Sequence, residues 1–217
     1  MAIRVMIVED ERLFRDLLKR CLEENTNLQV VAAVGEGKSA LSTALSMKPD
    51  VVLMDIELGQ GPNGIEVGLQ IKQLRPETGI VLLTSHKEKE YLKAIPLDRC
   101  EGWSYLLKQS IADVDALARA VEGAASGLFV LDPELVHGLR PRKATPLASL
   151  THRQQEVLEL VAQGYSNPGI AEKLHLSVKS VENQLNTIYQ VLDVNRDEPV
   201  HPRVKAVLAY LEWTRPQ

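Results

Sequence analysis

Three short runs of branched apolar residues constrain the fold most strongly, because each suits a buried strand and is too short for a buried helix. They are Ile3 to Val8, Val51 to Met54 and Ile80 to Leu83, with Leu28 to Val34 and Tyr105 to Leu107 as weaker candidates. Strands that lack alternating polar positions are typical of a parallel sheet covered on both faces. The sequence therefore predicts a five-stranded parallel sheet.

Amphipathic helical patterns separate these runs. The predicted helices are Arg12 to Glu24, Lys38 to Met47, Ile65 to Gln73, Glu88 to Ile95 and Ala112 to Ala125. Strands that alternate with helices form right-handed βαβ units, which place helices on both faces of the sheet. The carboxyl ends of the strands then lie along one edge, where open α/β sheets bind their ligands.

The periodic pattern stops between Ser126 and Ser149, where frequent glycine and proline indicate a linker. After Leu150 only helical periods occur. They cover Gln154 to Gln163, Pro168 to Leu174, Val178 to Leu192 and Val204 to Glu212. The 217 residues are therefore predicted to form an α/β domain (1–125), a linker (126–149) and a small all-α domain (150–217).

Composition argues against export and membrane insertion. No stretch approaches the roughly 18 apolar residues of a membrane span, and the run from Met1 to Val8 is too short for a signal-peptide core. Two cysteines, Cys21 and Cys100, lie far apart without metal-ligand spacing and suit a reducing cytosol. We therefore expect a cytoplasmic protein. The net charge of -4 neither indicates nor excludes binding to nucleic acid.

Polar side chains stand where the predicted strands end. Glu9 and Asp10 follow the first strand, Asp55 ends the third, Thr84 ends the fourth and Lys108 follows the fifth. Three carboxylates at one edge repel one another, and such hard oxygen ligands favour Mg²⁺. Phosphoryl transfer needs a nucleophile in line with phosphorus and positive charge around the equatorial oxygens. The set is therefore suited to phosphoryl transfer with bound Mg²⁺.

Each residue of this set has a predicted role. Asp55 would attack phosphorus and form an acyl phosphate. Glu9 and Asp10 would hold the metal, while Thr84 and Lys108 would each bind a phosphoryl oxygen. For Glu9, Asp10 or Thr84 taken singly, a structural role such as a cap of the next helix would be favoured, but the whole set together with Lys108 favours the phosphoryl site. No GxxxxGK[ST] or strand-linked GxGxxG motif occurs, so a nucleotide is not the expected occupant.

The stretch from Ile3 to about Ala125 resembles a receiver domain of bacterial two-component signalling, which has a flavodoxin-like fold. The matching motifs are Glu9-Asp10, Val51-Val52-Leu53-Met54-Asp55-Ile56, Leu82-Leu83-Thr84-Ser85 and Tyr105-Leu106-Leu107-Lys108. The resemblance implies that a histidine kinase phosphorylates Asp55. It also implies that Tyr105 is a switch residue and that the backbone carbonyl of Glu57 is a metal ligand. Without the resemblance, Tyr105 would be an ordinary strand tyrosine.

Three positions depart from the receiver pattern. Gly59 stands where the family often has proline, and the turn glycine, Gly64, comes one residue late. Gln109 follows Lys108 where many receivers carry proline, which removes the usual reason to expect a cis peptide bond. An aspartyl phosphatase that depends on a metal is an alternative for the same residues. Such enzymes typically need an acid-base aspartate two residues after the nucleophile, where this chain has Glu57.

The all-α domain contains helix-turn-helix spacing. A short helix ends near Leu174, and Ser177 is a suitable N-cap for the helix that follows. One face of that second helix carries an apolar stripe, and its other face is polar. The polar residues are Lys179, Ser180, Glu182, Asn183, Asn186 and Gln190. Asn and Gln can bond adenine, Glu can accept from cytosine, and Lys and Ser can contact phosphates. The same face could also be an ordinary solvated helix surface.

The stretch from Leu150 to Leu192 resembles the LuxR-type helix-turn-helix. The matching residues are Leu150-Thr151, Arg153, Glu156-Val157-Leu158, Gly164, Ser166-Asn167, Ile170-Ala171, Leu174, Leu176-Ser177 and Val181. A receiver followed by this module resembles the NarL/FixJ-type response regulators. The resemblance implies a transcriptional regulator that binds double-stranded DNA at an inverted repeat, as a homodimer when phosphorylated. Base contacts are expected from Glu182, Asn183 and Asn186, with Lys179 and Ser180 nearer the DNA backbone. Ser177 is also expected among the DNA-binding residues.

Two features of the all-α domain depart from the LuxR pattern. Glu182 replaces a frequent lysine and Gln184 a frequent histidine, so we expect a different preferred DNA sequence. The segment from Asn195 to Pro202 looks like an insertion before the last helix, which is the usual dimer surface in this family. The apolar residues of that helix could equally pack within their own domain. A helix-turn-helix that binds a partner protein instead of DNA is a further alternative.

Overall fold

The computed structural model of the protein describes residues 2–59, 61–85, 100–137, 139, 145–194 and 200–214. The predicted helix from Glu88 to Ile95 lies outside the described residues, as does most of the predicted insertion from Asn195 to Pro202. Among the described helices, none is long and apolar enough to cross a bilayer.

The sheet is parallel and has the strand order β2-β1-β3-β4-β5-β6. Its strands are β1 (Ile3–Val8), β2 (Leu28–Val34), β3 (Val51–Asp55), β4 (Gly79–Thr84), β5 (Trp103–Leu107) and β6 (Val130–Leu131). Strands β3, β4 and β5 are buried along their whole length. The apolar runs of β3 and β4 predict this burial, whereas β5 includes Ser104 and was a weaker candidate. The five predicted strands are therefore present, and a sixth extends the sheet beyond β5.

Helices cover both faces of this sheet, as predicted. They are α1 (Arg12–Glu23), α2 (Gly37–Met47), α3 (Gly64–Leu74) and α4 (Val114–Ala125). Helices α1 and α4 bury their apolar residues against one face, and α2 and α3 pack against the other. Asn63 fixes the start of α3 through a capping box with Glu66, in which each side chain accepts a backbone N–H of the other residue.

The segment predicted as a linker contains regular structure. Val130 and Leu131 are buried and pair with Ser104 and Tyr105 as β6, and helix α5 (Pro133–His137) follows. Proline is accepted at the first position of a helix, where its missing N–H leaves no hydrogen bond unmade. A strand of two residues is too short to show periodicity, so the sequence predicted a five-stranded sheet here and missed the sixth strand.

The C-terminal part of the described chain is helical. It consists of α6 (His152–Ala162), α7 (Asn167–Lys173), α8 (Val178–Val191) and α9 (Pro202–Thr214). Three of these helices begin at side-chain caps, because Thr151, Ser166 and Ser177 each accept a hydrogen bond from a backbone N–H in the first turn. The buried apolar residues of the four helices belong to one cluster that also includes residues of β5 and β6.

Candidate functional site

Lys108 joins two buried carboxylates at the carboxyl edge of the sheet. Its Nζ lies 2.9 Å from Glu9 Oε1 and 3.0 Å from Asp55 Oδ2. Glu9 is fully buried and Asp55 is 2% exposed, because one follows β1 and the other ends β3 in the centre of the sheet. Residues that are far apart in the sequence thus meet as the strand-end prediction required.

Asp10 completes an acidic cluster with these two carboxylates. One oxygen from each of Glu9, Asp10 and Asp55 lies within 4.8 Å of the others, and Asp10 is exposed to solvent. Three carboxylate oxygens at this spacing match the hard ligands that Mg²⁺ takes in proteins. The residues therefore fit a divalent cation that enters from the solvent side of Asp10.

Burial and neighbouring charges shift the pKa values of Glu9, Asp55 and Lys108. Burial raises the pKa of the Glu9 carboxyl, and the nearby charge of Asp55 adds to this increase although the hydrogen bond from Lys108 opposes it. Burial likewise raises the pKa of Asp55, again against the hydrogen bond from Lys108. Burial alone would lower the pKa of Lys108, but its hydrogen bonds to Glu9 and Asp55 and the negative charges of these two carboxylates together raise it. The ammonium therefore stays charged between the two acids.

The other predicted pocket residues lie on the strands and loop next to Asp55. Leu83 pairs with Asp55, and Thr84, the next residue, ends β4 opposite Leu107 with its side chain fully buried. Tyr105 is also fully buried and therefore points into the protein. The backbone N–H of Glu57 donates to Asp55 Oδ1 at 3.2 Å, and the Glu57 side chain is exposed.

Two residues of α1 contact this site and were not identified from the sequence. The Arg15 guanidinium donates to the backbone carbonyls of Glu9 and Asp10. A second cationic side chain besides Lys108 therefore contacts this acidic pair. The Phe14 ring centroid lies 4.9 Å from Lys108 Nζ, a distance that allows a cation–π contact. Both residues sit in an amphipathic helix next to many similar side chains, so only the fold distinguishes them.

The predicted DNA-reading residues share one accessible face of α8. Lys179, Asn183 and Asn186 are exposed, and Ser180 and Glu182 are half-buried. Ser177 caps the helix through the backbone N–H of Ser180, as predicted. The opposite face of α8 is buried through Val181, Leu185 and Ile188. The described side chains of this polar face are therefore exposed or half-buried.

Almost all residues of the last helix, α9, are buried or half-buried. Six of its residues are buried, and Glu212 is the only exposed one. Arg203 at its start donates to the backbone carbonyl of Tyr165 at 2.7 Å and to Asn167 Oδ1 at 2.6 Å. The apolar residues of α9 therefore pack within the chain, and a dimer surface on this helix stays a prediction.

Two family models match the chain. The model described as the response regulator receiver domain matches residues 5–122, and the model of the luxR family of bacterial regulatory proteins matches residues 148–200. The first match contains all the pocket residues described above, and the second contains helices α6 to α8.

Curated relatives match over most of their length. Transcriptional regulatory protein DegU of Brevibacillus brevis is 32% identical over 214 residues, with 89% of each chain covered. Response regulator protein VraR of Staphylococcus aureus is 34% identical over 198 residues, which cover 89% of this chain and 92% of the relative. The similarity thus extends across both matched domains.

Solved structures of similar proteins support the fold. The response regulator ChrA of a heme-sensing two-component system has a TM-score of 0.50 at 29% identity and covers 97% of each chain. A LuxR-family two-component response regulator from Aurantimonas sp. SI85-9A1 has a TM-score of 0.56 at 28% identity, covering 63% of this chain and 94% of the other.

Proposed function

The chain belongs to the response regulators that join a receiver domain to a LuxR-type DNA-binding domain, and from this premise we propose that Asp55 is its phosphoacceptor. The observation that carries the proposal is the meeting of Lys108 with Asp55 and Glu9 at 2.9 to 3.0 Å. A carboxylate nucleophile beside a fixed ammonium has the charge arrangement that phosphoryl transfer requires.

In this proposal each pocket residue acts on the phosphoryl group or on the metal. Glu9, Asp10, Asp55 and the backbone carbonyl of Glu57 would hold Mg²⁺, which would offset the negative charge of the carboxylates and of the phosphoryl oxygens. Lys108 and Thr84 bind phosphoryl oxygens. Tyr105 already occupies an inward position, and we propose that its packing changes with phosphorylation.

The phosphoryl donor would be a sensor histidine kinase, and the output would be transcription. We place the receiver at residues 1–125, the linker at 126–149 and the DNA-binding domain at 150–217, and we propose that the protein acts in the cytoplasm. A phosphorylated homodimer would present two copies of α8 to an inverted repeat. Two linked modules bind more tightly than one, because the second binding event is intramolecular.

The relatives are described as response regulators and transcription regulators, which supports this function over a phosphatase. The test is DNA selection from a random library by the full chain with Mg²⁺, with and without acetyl phosphate, together with sizing in solution. We expect an enriched inverted repeat and a dimer when acetyl phosphate is present. Selection of no sequence in either state would contradict DNA binding, and steady hydrolysis of phosphate esters would favour a phosphatase.

Magnesium should stabilise the folded chain through the acidic cluster. At ten times its dissociation constant, a ligand that binds only the folded state adds about 1.4 kcal/mol to the free energy of unfolding. Asp10→Asn removes one ligand and should abolish most of this gain, whereas Asp16→Asn, on the exposed side of α1, should retain it. Denaturant titrations at several Mg²⁺ concentrations measure the effect. An equal gain in both variants would contradict the metal site.

The same site predicts a dependence on pH. The pKa values of Glu9 and Asp55 are raised in the folded state, so without metal their contribution to stability is highest at low pH. This contribution to stability declines as the pH rises from the ordinary pKa of a carboxyl group through the raised pKa values of Glu9 and Asp55. Because Mg²⁺ binds the deprotonated acids, its affinity should increase over the same range. Calorimetric titration at several pH values checks this, and an affinity independent of pH would contradict it.

Two side chains of α8 should contribute to DNA binding in different ways. Asn183→Ala removes a proposed base contact and should weaken binding to the selected site by about 1–3 kcal/mol with an unchanged salt dependence. Lys179→Ala removes a proposed phosphate contact. It should therefore reduce the steepness with which the logarithm of the binding constant falls with the logarithm of salt concentration by about 1, for all DNA sequences. Gln70→Ala, exposed on α3 of the receiver and outside the helix-turn-helix, is the control and should change neither. Binding isotherms at several salt concentrations distinguish these effects, and equal behaviour of all three variants would contradict the assignment.

A further inference from the structure

Asp132, which directly follows strand β6, is hydrogen-bonded to strand β5 just before Lys108. The Asp132 backbone N–H donates to the Tyr105 carbonyl at 2.8 Å, and the Leu107 N–H donates to Asp132 Oδ2 at 2.9 Å. Asp132 is fully buried, so its carboxylate has given up water for these contacts. A buried carboxylate that accepts backbone N–H groups holds that backbone in one position.

The residue after Lys108 is held by the same segment. The Gln109 side-chain amide donates to Glu134 Oε2 at 2.7 Å. Glu134 is fixed in turn, because its backbone N–H donates to Asp132 Oδ1 at 2.8 Å at the start of α5. Both neighbours of Lys108 are thus bound by side chains from a segment that lies outside the five predicted strands. Gln109 replaces the proline expected from the receiver pattern, and its side chain provides a contact that proline does not.

The same strand also contacts the DNA-binding domain. Val130 fits between two glycines, because a Cβ at Gly123 of α4 would lie 2.5 Å from one Val130 methyl, and a Cβ at Gly164 would lie 3.0 Å from both. Next to Gly164, the Tyr165 ring centroid lies 4.2 Å from the Arg119 guanidinium carbon of α4. Strand β6 is therefore packed between the receiver and the turn that precedes helix α7.

We propose that Asp132 is a positioning residue for Lys108 and that it couples the phosphoacceptor pocket to the DNA-binding domain through β6. The inference rests on the proposed phosphorylation of Asp55. Lys108 must hold a phosphoryl oxygen; Asp132 binds the backbone N–H of the residue before it, and Glu134 binds the side chain of the residue after it. A shift of Lys108 on phosphorylation is then transmitted to β6, and by thermodynamic reciprocity the position of β6 alters the pocket.

Asp132→Ser separates the two roles of this carboxylate. Serine can still cap α5 by accepting from Glu134, but it is too short to reach Leu107 as well. We expect the full-length variant to gain phosphoryl groups from acetyl phosphate and Mg²⁺ about 10-fold more slowly than wild type, because small misplacements of catalytic groups have large effects on rate. Asp113 caps α4 by accepting from Ala116, so Asp113→Ser is a matched change that should keep the wild-type rate.

Gln109→Ala provides a second test in case Asp132→Ser folds poorly. Gln109 and Glu134 are exposed, so loss of their hydrogen bond should leave folding intact and slow phosphorylation about threefold. A purely structural role of Asp132 would lower stability in Asp132→Ser and leave Gln109→Ala at the wild-type rate, which would overturn the inference.

Hydrogen exchange of the full chain measures the coupling itself. In wild type, phosphorylation should change exchange in residues 130–137 together with residues 103–109. In Asp132→Ser, brought to the same phosphorylated fraction, the change in 130–137 should be lost while that in 103–109 persists. An unchanged response in 130–137 would overturn the inference and leave the proposed function intact. Absence of phosphoryl uptake in wild type would overturn both.

Discussion

An Asp55→Asn chain will take up no phosphoryl group from acetyl phosphate and Mg²⁺ under conditions that label the wild type fully. The asparagine amide keeps the shape of the side chain and one oxygen that can accept from Lys108, but it is not a nucleophile that can form an acyl phosphate. The effect is expected to be complete, because among the residues that the structure describes no other carboxylate stands at the end of β3, where Asp55 meets Lys108. Intact-mass measurement of the full chain shows it directly.

Asp16→Asn is the matched control for this prediction. Asp16 is an exposed aspartate of α1 outside the acidic cluster, so the same change of side chain should leave phosphoryl uptake at the wild-type level. The loss in Asp55→Asn should be accompanied by a loss of the acetyl phosphate response in DNA binding. A mass gain in Asp55→Asn equal to that of wild type would place the phosphoacceptor elsewhere.

A Gly64→Ala chain will be strongly destabilised, although Gly64 lies in a helix where alanine is normally preferred. A Cβ at this position would lie 1.9 Å from the Asp55 carbonyl oxygen and 2.8 Å from Met54 Cγ. Because the oxygen belongs to the backbone of β3, either α3 or the end of that strand must move. We expect the free energy of unfolding to fall by about 3 kcal/mol or more, and the displaced Asp55 to accept phosphoryl groups slowly.

Gly169→Ala tests whether this effect comes from the close approach of α3 to β3. A Cβ at Gly169 would meet Tyr165 and Ser166 side-chain atoms at 3.3 to 3.5 Å, and no backbone atom of another element. Alanine is favoured over glycine within a helix by up to about 1 kcal/mol, so this variant should be close to wild type in stability. Denaturant unfolding compares the two. A Gly64→Ala chain as stable as Gly169→Ala would show that α3 can move away from Asp55 at little cost.

The pocket could be predicted from the sequence because its residues follow the strands directly. The apolar runs fixed where β1, β3 and β4 end, and parallel topology required Glu9, Asp55 and Thr84 to meet at one edge. Lys108 followed from the same reasoning on a weaker strand. The exposed face of α8 was equally predictable, since an apolar stripe with helical period leaves the opposite face polar.

The contacts that support the pocket could not be predicted. Strand β6 has two residues and α5 has five, so neither is long enough to produce a periodic signal. Asp132 therefore looked like one more polar residue of a linker. Arg15 is one of several charged residues on α1, and its contact with the carbonyls behind Glu9 and Asp10 depends on how that helix packs. Such long-range packing is set by the fold and not by local sequence.

The most direct test of the account is the position of a divalent cation in crystals soaked with Mn²⁺, located by its anomalous signal. We predict one strong site, with the ion about 2.1 Å from carboxylate oxygens of Glu9, Asp10 and Asp55 and from the Glu57 carbonyl oxygen. The Lys108 ammonium should lie on the other side of Asp55. A crystal saturated with Mn²⁺ that shows the ion elsewhere, or none near Asp55, would contradict the proposed phosphoacceptor pocket.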